Sequence, residues 1–230
     1  MKKLILSIAL CCAATNFFAQ NADPAQLVND GKAALEAKNY QEAYTKFSTY
    51  LTQTNNQDSV IAYNCGVCAD KIKKPAEALK YFDIAVQKKY NLANAYIGKA
   101  GALKDLKKND EYVATLKEGL EANPGNKTLT KLYATYYVNQ GIMAQKAKKM
   151  DAAEEAFKQA IAIQADNVNA LNSLGANTMK TDVEKAKVEF KEAKEYLDKL
   201  IPLLSADKPA QKKMMDNAKT MLNFIDSQVK

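Results

Sequence analysis

The chain has 230 residues, enough for one sizeable core or one array of repeats, and a formal charge of +7 at neutral pH. It contains no histidine and no arginine, so all 33 cations are lysine. Histidine-based catalysis and imidazole metal ligands are therefore excluded, as is bidentate guanidinium recognition of phosphate or guanine. We expect neither a cofactor nor a nucleic-acid partner.

The first residues predict an export signal. Lys2 and Lys3 provide a positive start, and the apolar run over residues 4–14 is shorter than the roughly 20 residues that span a bilayer. Small residues follow where a peptidase cuts. We therefore expect residues 1–22 to be removed as a signal peptide, leaving no transmembrane segment.

Two cysteines in this leader bear on the location. Cys11 follows Leu10, and Cys12 follows Cys11, so neither has the small preceding residue that lipid modification requires. We expect an exported protein of the bacterial periplasm, with a lipid-anchored envelope protein as the alternative.

The rest of the chain is built from an internal repeat. A small residue recurs at spacings of 35, 34, 41 and 34, at Gly31, Gly66, Ala100, Gly141 and Gly175. Eleven or twelve residues later comes alanine in all but one repeat, at Ala43, Ala78, Tyr112, Ala153 and Ala186. Four residues further on comes a large apolar side chain, at Phe47, Phe82, Leu116, Phe157 and Phe190. Residues four apart share a helix face, so the pattern predicts pairs of helices that approach closely at the small residue.

This pattern resembles the tetratricopeptide repeat (TPR) family, whose 34-residue repeat has Gly or Ala at position 8, Ala at 20 and an aromatic residue at 24. The resemblance covers residues 24–201. It implies an all-α fold: a right-handed TPR superhelix, or α-α solenoid, of about five helix pairs. We place the repeats at 24–57, 59–92, 93–126, 134–167 and 168–200. Seven extra residues in the fourth repeat predict a longer first helix there.

The chain continues beyond the last repeat with residues 208–228, which predict one more helix with an apolar side. A repeat array needs such an end piece, because its last repeat otherwise exposes an apolar face. We interpret this segment as a capping helix. The alternative is an amphipathic helix that binds a partner.

A Cys-x-x-Cys pair lies in the second repeat, at Cys65 and Cys68. A redox couple needs its attacking cysteine at a helix N-terminus, whereas this pair falls well inside a helix expected to begin near Ser59. We interpret both cysteines as small buried side chains. The alternatives are that the two cysteines form a structural disulfide, or that they are the redox pair of a thiol-disulfide oxidoreductase.

The resemblance also implies where a partner binds, since the first helices of TPR repeats line a concave surface with positions 2, 5, 6 and 9. Asparagines expected on this surface are Asn29, Asn64, Asn94, Asn139 and Asn172. Apolar residues expected beside them are Tyr63, Val67, Ile97 and Ile142. An asparagine amide both donates and accepts hydrogen bonds, so it pairs with a peptide backbone without reading side chains. We expect an extended, mildly apolar peptide; the other interpretation is that these asparagines are merely common in the family.

Lysines recur where each first helix is expected to end, at Lys38, Lys73-Lys74, Lys107-Lys108 and Lys148-Lys149. They either complement helix dipoles or form a functional basic stripe.

The favoured function is a non-catalytic scaffold of the bacterial cell envelope that binds a protein or peptide. One alternative is a subunit of an outer-membrane or envelope assembly complex, and the alternative of another class is the oxidoreductase.

Overall fold

A computed structural model describes residues 22–178 and 186–228 of the chain. Within those residues the secondary structure is entirely helical, with no strand, which confirms the all-α prediction. The predicted signal peptide, residues 1–22, lies outside the described residues except for Ala22.

Of the described residues, those from 22 to 126 form one compact unit, here called the N-terminal unit. Its three helix pairs are α1 Pro24–Glu36 with α2 Tyr40–Gln53, α3 Ser59–Lys71 with α4 Pro75–Gln87, and α5 Leu92–Asp105 with α6 Asn109–Ala122. Each helix packs against the next, and α3 also contacts α5 directly. The first helices α3 and α5 are therefore neighbours, and α4 packs against both.

The described residues from 127 onward, 127–178 and 186–228, form the second compact unit, the C-terminal unit. Its helices are α7 Lys127–Lys146, α8 Met150–Ile163, α9 Val168–Thr178, α10 Ala186–Leu200 and α11 Pro209–Gln228, with a 3₁₀ turn at Ile201–Leu203. Helix α7 has 20 residues, against 13 or 14 for the first helices α1, α3 and α5. The predicted lengthening of this helix is confirmed.

The turn inside each of the first four helix pairs is a Schellman motif with lysine in the left-handed position. In the second pair, the Lys73 amide donates to the Asp70 carbonyl (3.0 Å) and the Lys74 amide donates to the Ala69 carbonyl (2.9 Å). Lys38, Lys73, Lys107 and Lys148 all have φ near +59°. Glycine normally occupies this position because it lacks a Cβ, so each lysine carries backbone strain.

Close packing of a small residue on an aromatic ring holds the helix pairs together. A Cβ added to Gly31 would fall against the Phe47 ring, and one added to Gly141 would fall against the Phe157 ring. Both rings are fully buried. The family spacing is thus a steric requirement, because the second helix seats its ring where the first helix has no side chain.

In the second helix of the fifth repeat, Phe190 is buried as predicted, but the prediction that it faces the small residue Gly175 is wrong. The nearest side chain to a Cβ at Gly175 would be Leu197, at 3.1 Å, rather than the predicted Phe190. Leu197 is fully buried, and the matching triplet is Ala193, Leu197 and Leu200, seven residues beyond the predicted one. The sequence favours Phe190 because it lies 33 residues after Phe157, close to the 34-residue repeat, whereas the fold places Leu197 against Gly175.

Helix α11 packs on α10 within the C-terminal unit. Ala218 and Ile225 on α11 are fully buried in the same apolar cluster as Leu197 and Leu200. Phe190 also faces this helix, with its ring 6.0 Å from that of Phe224 in an edge-to-face arrangement. The apolar side of α10 is covered in this way.

Candidate functional site

A cleft of about 280 Å³ opens between α3 and α5 of the N-terminal unit. We call it the α3–α5 cleft. Tyr63 and Val67 line it from α3, Ile97 lines it from α5, and the Phe82 ring from α4 lies between them. These four side chains make its wall predominantly apolar.

Two glycines of α5, Gly98 and Gly101, complete the lining. The Phe82 ring lies against the backbone at Gly98, where a Cβ would overlap it, and a Cβ at Gly66 of α3 would lie 3.0 Å from the same ring. The ring therefore sits between two glycine-bearing helix segments. It reaches the cleft because neither helix places a side chain in front of it.

Aromatic contacts hold Tyr63 at the cleft wall. Its ring makes edge-to-face contacts with Phe82 (5.9 Å between centroids) and with Tyr90 (5.8 Å). Burial, and then the nearby Tyr90, raise the pKa of the Tyr63 hydroxyl. The hydroxyl is therefore a neutral hydrogen-bonding group at ordinary pH.

Polar groups border the cleft. Asn94 is exposed and its amide donates to the Asn91 side chain at 2.9 Å. Asp70 and Lys71, at the end of α3, also line the cleft. Within the described residues, neither of these two side chains has an ion pair or a hydrogen bond. The cleft thus combines an apolar wall with an amide, a carboxylate and an ammonium group.

Four of the nine residues predicted for the binding surface meet in this cleft: Tyr63, Val67, Asn94 and Ile97. In the same unit, Asn64 is half-buried on α3 and Asn29 is exposed on α1. Neither of these lines the cleft.

The other three predicted residues lie in the C-terminal unit. Asn139 is exposed on α7, and Asn172 is half-buried on α9. Ile142 packs against the buried cluster of Ala153, Phe157 and Leu174. This contact partly explains why an apolar residue occupies position 142.

Sequence reasoning did not include Phe82, Gly98, Gly101, Asp70 or Lys71 in the site. In the sequence, Phe82 is the large apolar residue of its repeat, and Gly98 is not part of the repeat pattern. A signal was present in the sequence, since Gly98 and Gly101 lie three apart inside one helix and share a face. Glycine in a helix interior is unfavourable, so two on one face mark a close approach or an opening.

The cysteine pair is a packing feature, as predicted. Cys65 and Cys68 are both unbridged and fully buried. Burial raises the pKa of both thiols, that of Cys68 to about 11, and the nearby Cys68 raises that of Cys65 further. A reactive cysteine needs a lowered pKa and access to its substrate, and this pair has neither.

Two lysines of the turns within the helix pairs contact a partner of their own. Lys108 pairs with Glu111 at 2.9 Å, and the Lys74 ammonium lies 4.7 Å from the centre of the Tyr44 ring. The second lysine of each pair occupies the N-cap of the following helix without a side-chain cap, at Lys74, Lys108 and Lys149. Cations are unfavourable at that end of a helix dipole, so the dipole explanation fits only the first lysine of each pair.

Within the part of the chain that the structure describes, no group of three or more potential metal-ligating side chains comes together. None of the helices described is both long and apolar enough to cross a membrane.

Comparison with solved structures finds close similarity to one TPR protein. The crystal structure of a TPR repeats protein (BF2334) from Bacteroides fragilis shares 47% sequence identity, covers 86% of this chain and 99% of its own, and has a TM-score of 0.66. YrrB, described as a TPR protein with an unusual peptide-binding site, is 15% identical, with coverage of 86% and 92% and a TM-score of 0.54. No family model and no curated protein sequence matches the chain.

Proposed function

Because the chain belongs to the tetratricopeptide repeat family, we propose that it is a non-catalytic scaffold that binds an extended, mildly apolar peptide or protein segment. The first helices α1, α3 and α5 provide the main binding surface in the N-terminal unit. Asn139 and Asn172 provide further backbone-pairing amides in the C-terminal unit.

The observation that carries this proposal is the composition of the α3–α5 cleft. Four residues predicted to bind a peptide converge on it, three apolar and one an amide. Apolar contacts supply affinity, and an amide pairs with backbone groups of any sequence. YrrB, which has the same fold, is described as having a peptide-binding site, and this precedent supports the proposal.

The non-catalytic part of the proposal rests on the absence of histidine from the sequence and on the buried state of Cys65 and Cys68. Thiol exchange requires a thiolate that reaches its substrate. An insulin-reduction assay tests this part, and we expect no turnover. Activity that disappears in a Cys65→Ser variant would favour the oxidoreductase instead.

We also propose export to the periplasm, which is supported by the leader-like sequence over residues 1–22. Fractionation of cells expressing the full chain with a C-terminal tag tests it. Release with the periplasmic fraction is expected, and retention in the cytoplasm contradicts it. Recovery with membranes favours the lipid-anchored alternative, in which membership of an envelope assembly is the natural role.

Peptide binding is tested directly with a phage-displayed library of random 12-residue peptides selected on the folded protein. Selected peptides are synthesised, and their dissociation constants are measured by fluorescence anisotropy. Asn64→Ala in the N-terminal unit and Asn139→Ala in the C-terminal unit are measured separately. Each is expected to weaken the peptides bound by its own unit about two- to tenfold, since a lost hydrogen bond contributes about 0.5–1.5 kcal/mol.

Gln41→Ala, on the exposed surface of α2, is the matched control and should leave affinity unchanged. Circular dichroism checks that all variants keep their helicity. Failure to select any peptide, or undiminished affinity in both Asn64→Ala and Asn139→Ala, would overturn the proposed surface and direct attention to the lysine turns.

A further inference from the structure

We propose that the α3–α5 cleft is the pocket that selects the peptide, an inference that rests on the proposed function. The pocket takes one large apolar side chain (Phe, Leu or Met) of an extended peptide. A lysine or arginine adjacent to that side chain in the peptide pairs with Asp70.

Gly101 is the residue that internal packing does not explain. Gly98 is required because a Cβ there would overlap the Phe82 ring, whereas a Cβ at Gly101 would meet nothing within 4 Å. Replacing a helix-interior glycine with alanine normally stabilises a protein. The fold therefore forgoes stability at Gly101, and the consequence is an unobstructed cleft.

The size of the cleft indicates what enters it. Its volume of about 280 Å³ is just below the roughly 300–1,000 Å³ typical of sites for whole small molecules. The aromatic faces of Phe82 and Tyr63, together with Ile97, suit a single apolar side chain better than a polar ligand. An extended peptide inserts such a side chain while its backbone lies across the mouth near Asn94.

Charge complementarity defines the neighbouring residue of the peptide. Asp70 is half-buried, whereas Lys71 is exposed, so water and salt screen the lysine more effectively than the carboxylate. The partial negative charge at the C-terminal end of α3 adds to that of Asp70. A basic side chain at this end of the cleft gains more than an acidic one.

The same phage-displayed 12-residue peptides test the inference. We expect peptides selected on the wild-type protein to share a Phe, Leu or Met next to a Lys or Arg. Gly101→Leu introduces a side chain at a lining position of the cleft where a Cβ meets no atom within 4 Å. It should weaken binding of those peptides about tenfold or more, as expected for loss of a central anchor. Because leucine is a better helix former than glycine, this variant should keep its fold and unfold at a slightly higher temperature.

Ala114→Leu, which adds the same side chain at an exposed position of α6, is the matched control and should change affinity less than twofold. Asp70→Asn should weaken a selected peptide severalfold, but should have no effect on the same peptide after its Lys is replaced by Gln. Asp105→Asn, at the exposed end of α5, controls for a general loss of negative charge.

The outcomes separate the two proposals. Peptides that bind wild type and Gly101→Leu equally would overturn the pocket and leave the scaffold function intact, especially if Asn64→Ala still weakens them. Selected peptides without the apolar–basic pair would overturn the specificity. Failure to select any peptide would overturn the proposed function and the pocket with it.

Discussion

The N-terminal and C-terminal units are built from the same kind of helix pair, but the lengths and register of the helices are more regular in the N-terminal unit. In the N-terminal unit the first helices have 13 or 14 residues, and a cleft stays open between two of them. The C-terminal unit has a 20-residue first helix in α7 and a second helix, α10, seven residues out of the expected register. The common requirement is a small residue facing a large one; helix length and loop length vary around it.

The units also differ in charge, and only the C-terminal unit has a buried polar side chain two residues after the small residue of a repeat. Residues 22–126 hold 14 lysines and 13 acidic residues, whereas residues 127–230 hold 17 lysines and 13 acidic residues. Two residues after the small residue, the side chain is exposed in one repeat of each unit, at Ala33 and Met143. The buried residues at this position are Cys68 and Ala102 in the N-terminal unit and Asn177 in the C-terminal unit. The asparagine donates to the Met150 carbonyl (3.1 Å) and accepts from Gln145 (3.2 Å), so hydrogen bonds join α9 to the turn between α7 and α8.

The largest expected effect tests the shifted register of α10. Leu197→Ala should lower the free energy of unfolding by about 2–5 kcal/mol, because it empties a fully buried site. Urea denaturation followed by circular dichroism measures this change. In double-mutant cycles, Gly175→Ala should couple to Leu197→Ala and not to Phe190→Ala. Coupling between Gly175→Ala and Phe190→Ala would instead show that Phe190 faces Gly175, as the repeat spacing predicts.

The buried asparagine gives the next largest effect. Asn177→Ala should destabilise the protein by about 1–3 kcal/mol, because it leaves the Met150 carbonyl and the Gln145 amide without their partner. Asn169→Ala, an exposed position on the same helix, should change stability by less than about 0.5 kcal/mol. Equal changes in stability for the two substitutions would mean that the hydrogen bonds of Asn177 do not stabilise the fold.

Alkaline pH should destabilise the N-terminal unit, which holds both Cys65 and Cys68. Unfolded thiols ionise near pH 8.5, whereas burial raises the pKa of Cys68 to about 11 and that of Cys65 as well. The unfolded state then binds fewer protons, so stability is fully present below about pH 8.5 and is lost as pH rises towards 11. The slope is at most about 1.4 kcal/mol per pH unit for each thiol.

Urea denaturation between pH 7.5 and 10 measures this slope, and hydrogen exchange assigns it to one unit. Cys65→Ala/Cys68→Ala should flatten the dependence. An equal slope in this double variant would show that the thiols do not set it.

The smallest expected effect concerns the turns that the two units share. Lys73→Gly and Lys148→Gly should each stabilise the protein by about 0.5–1 kcal/mol, since both residues have φ of +59° and glycine relieves that strain. Thermal unfolding measures the gain. Lys80→Gly, inside helix α4 and exposed, should instead destabilise by about 1 kcal/mol. Destabilisation by all three substitutions would show that the lysine side chains, rather than the backbone, determine these turns.

The sequence alone determined the helix pairs and the burial of the cysteine pair. These features are local. A spacing of 16 residues within one repeat brings Gly31 against Phe47 and Gly141 against Phe157, and a small side chain in the interior of a packed helix usually lies at a contact between helices. The sequence also identified Tyr63, Val67, Asn94 and Ile97 as one surface. It could do so because first helices of neighbouring repeats are adjacent.

Tertiary structure alone decided the register of α10 and the content of the cleft. Two apolar triplets, seven residues apart, satisfy the same helix-face spacing, so only the three-dimensional path of the chain selects Leu197 over Phe190 to meet Gly175. The opening at Gly101 likewise depends on the absence of any atom within 4 Å of a Cβ built at this position. Such an absence involves residues distant in sequence, which helical periodicity does not encode.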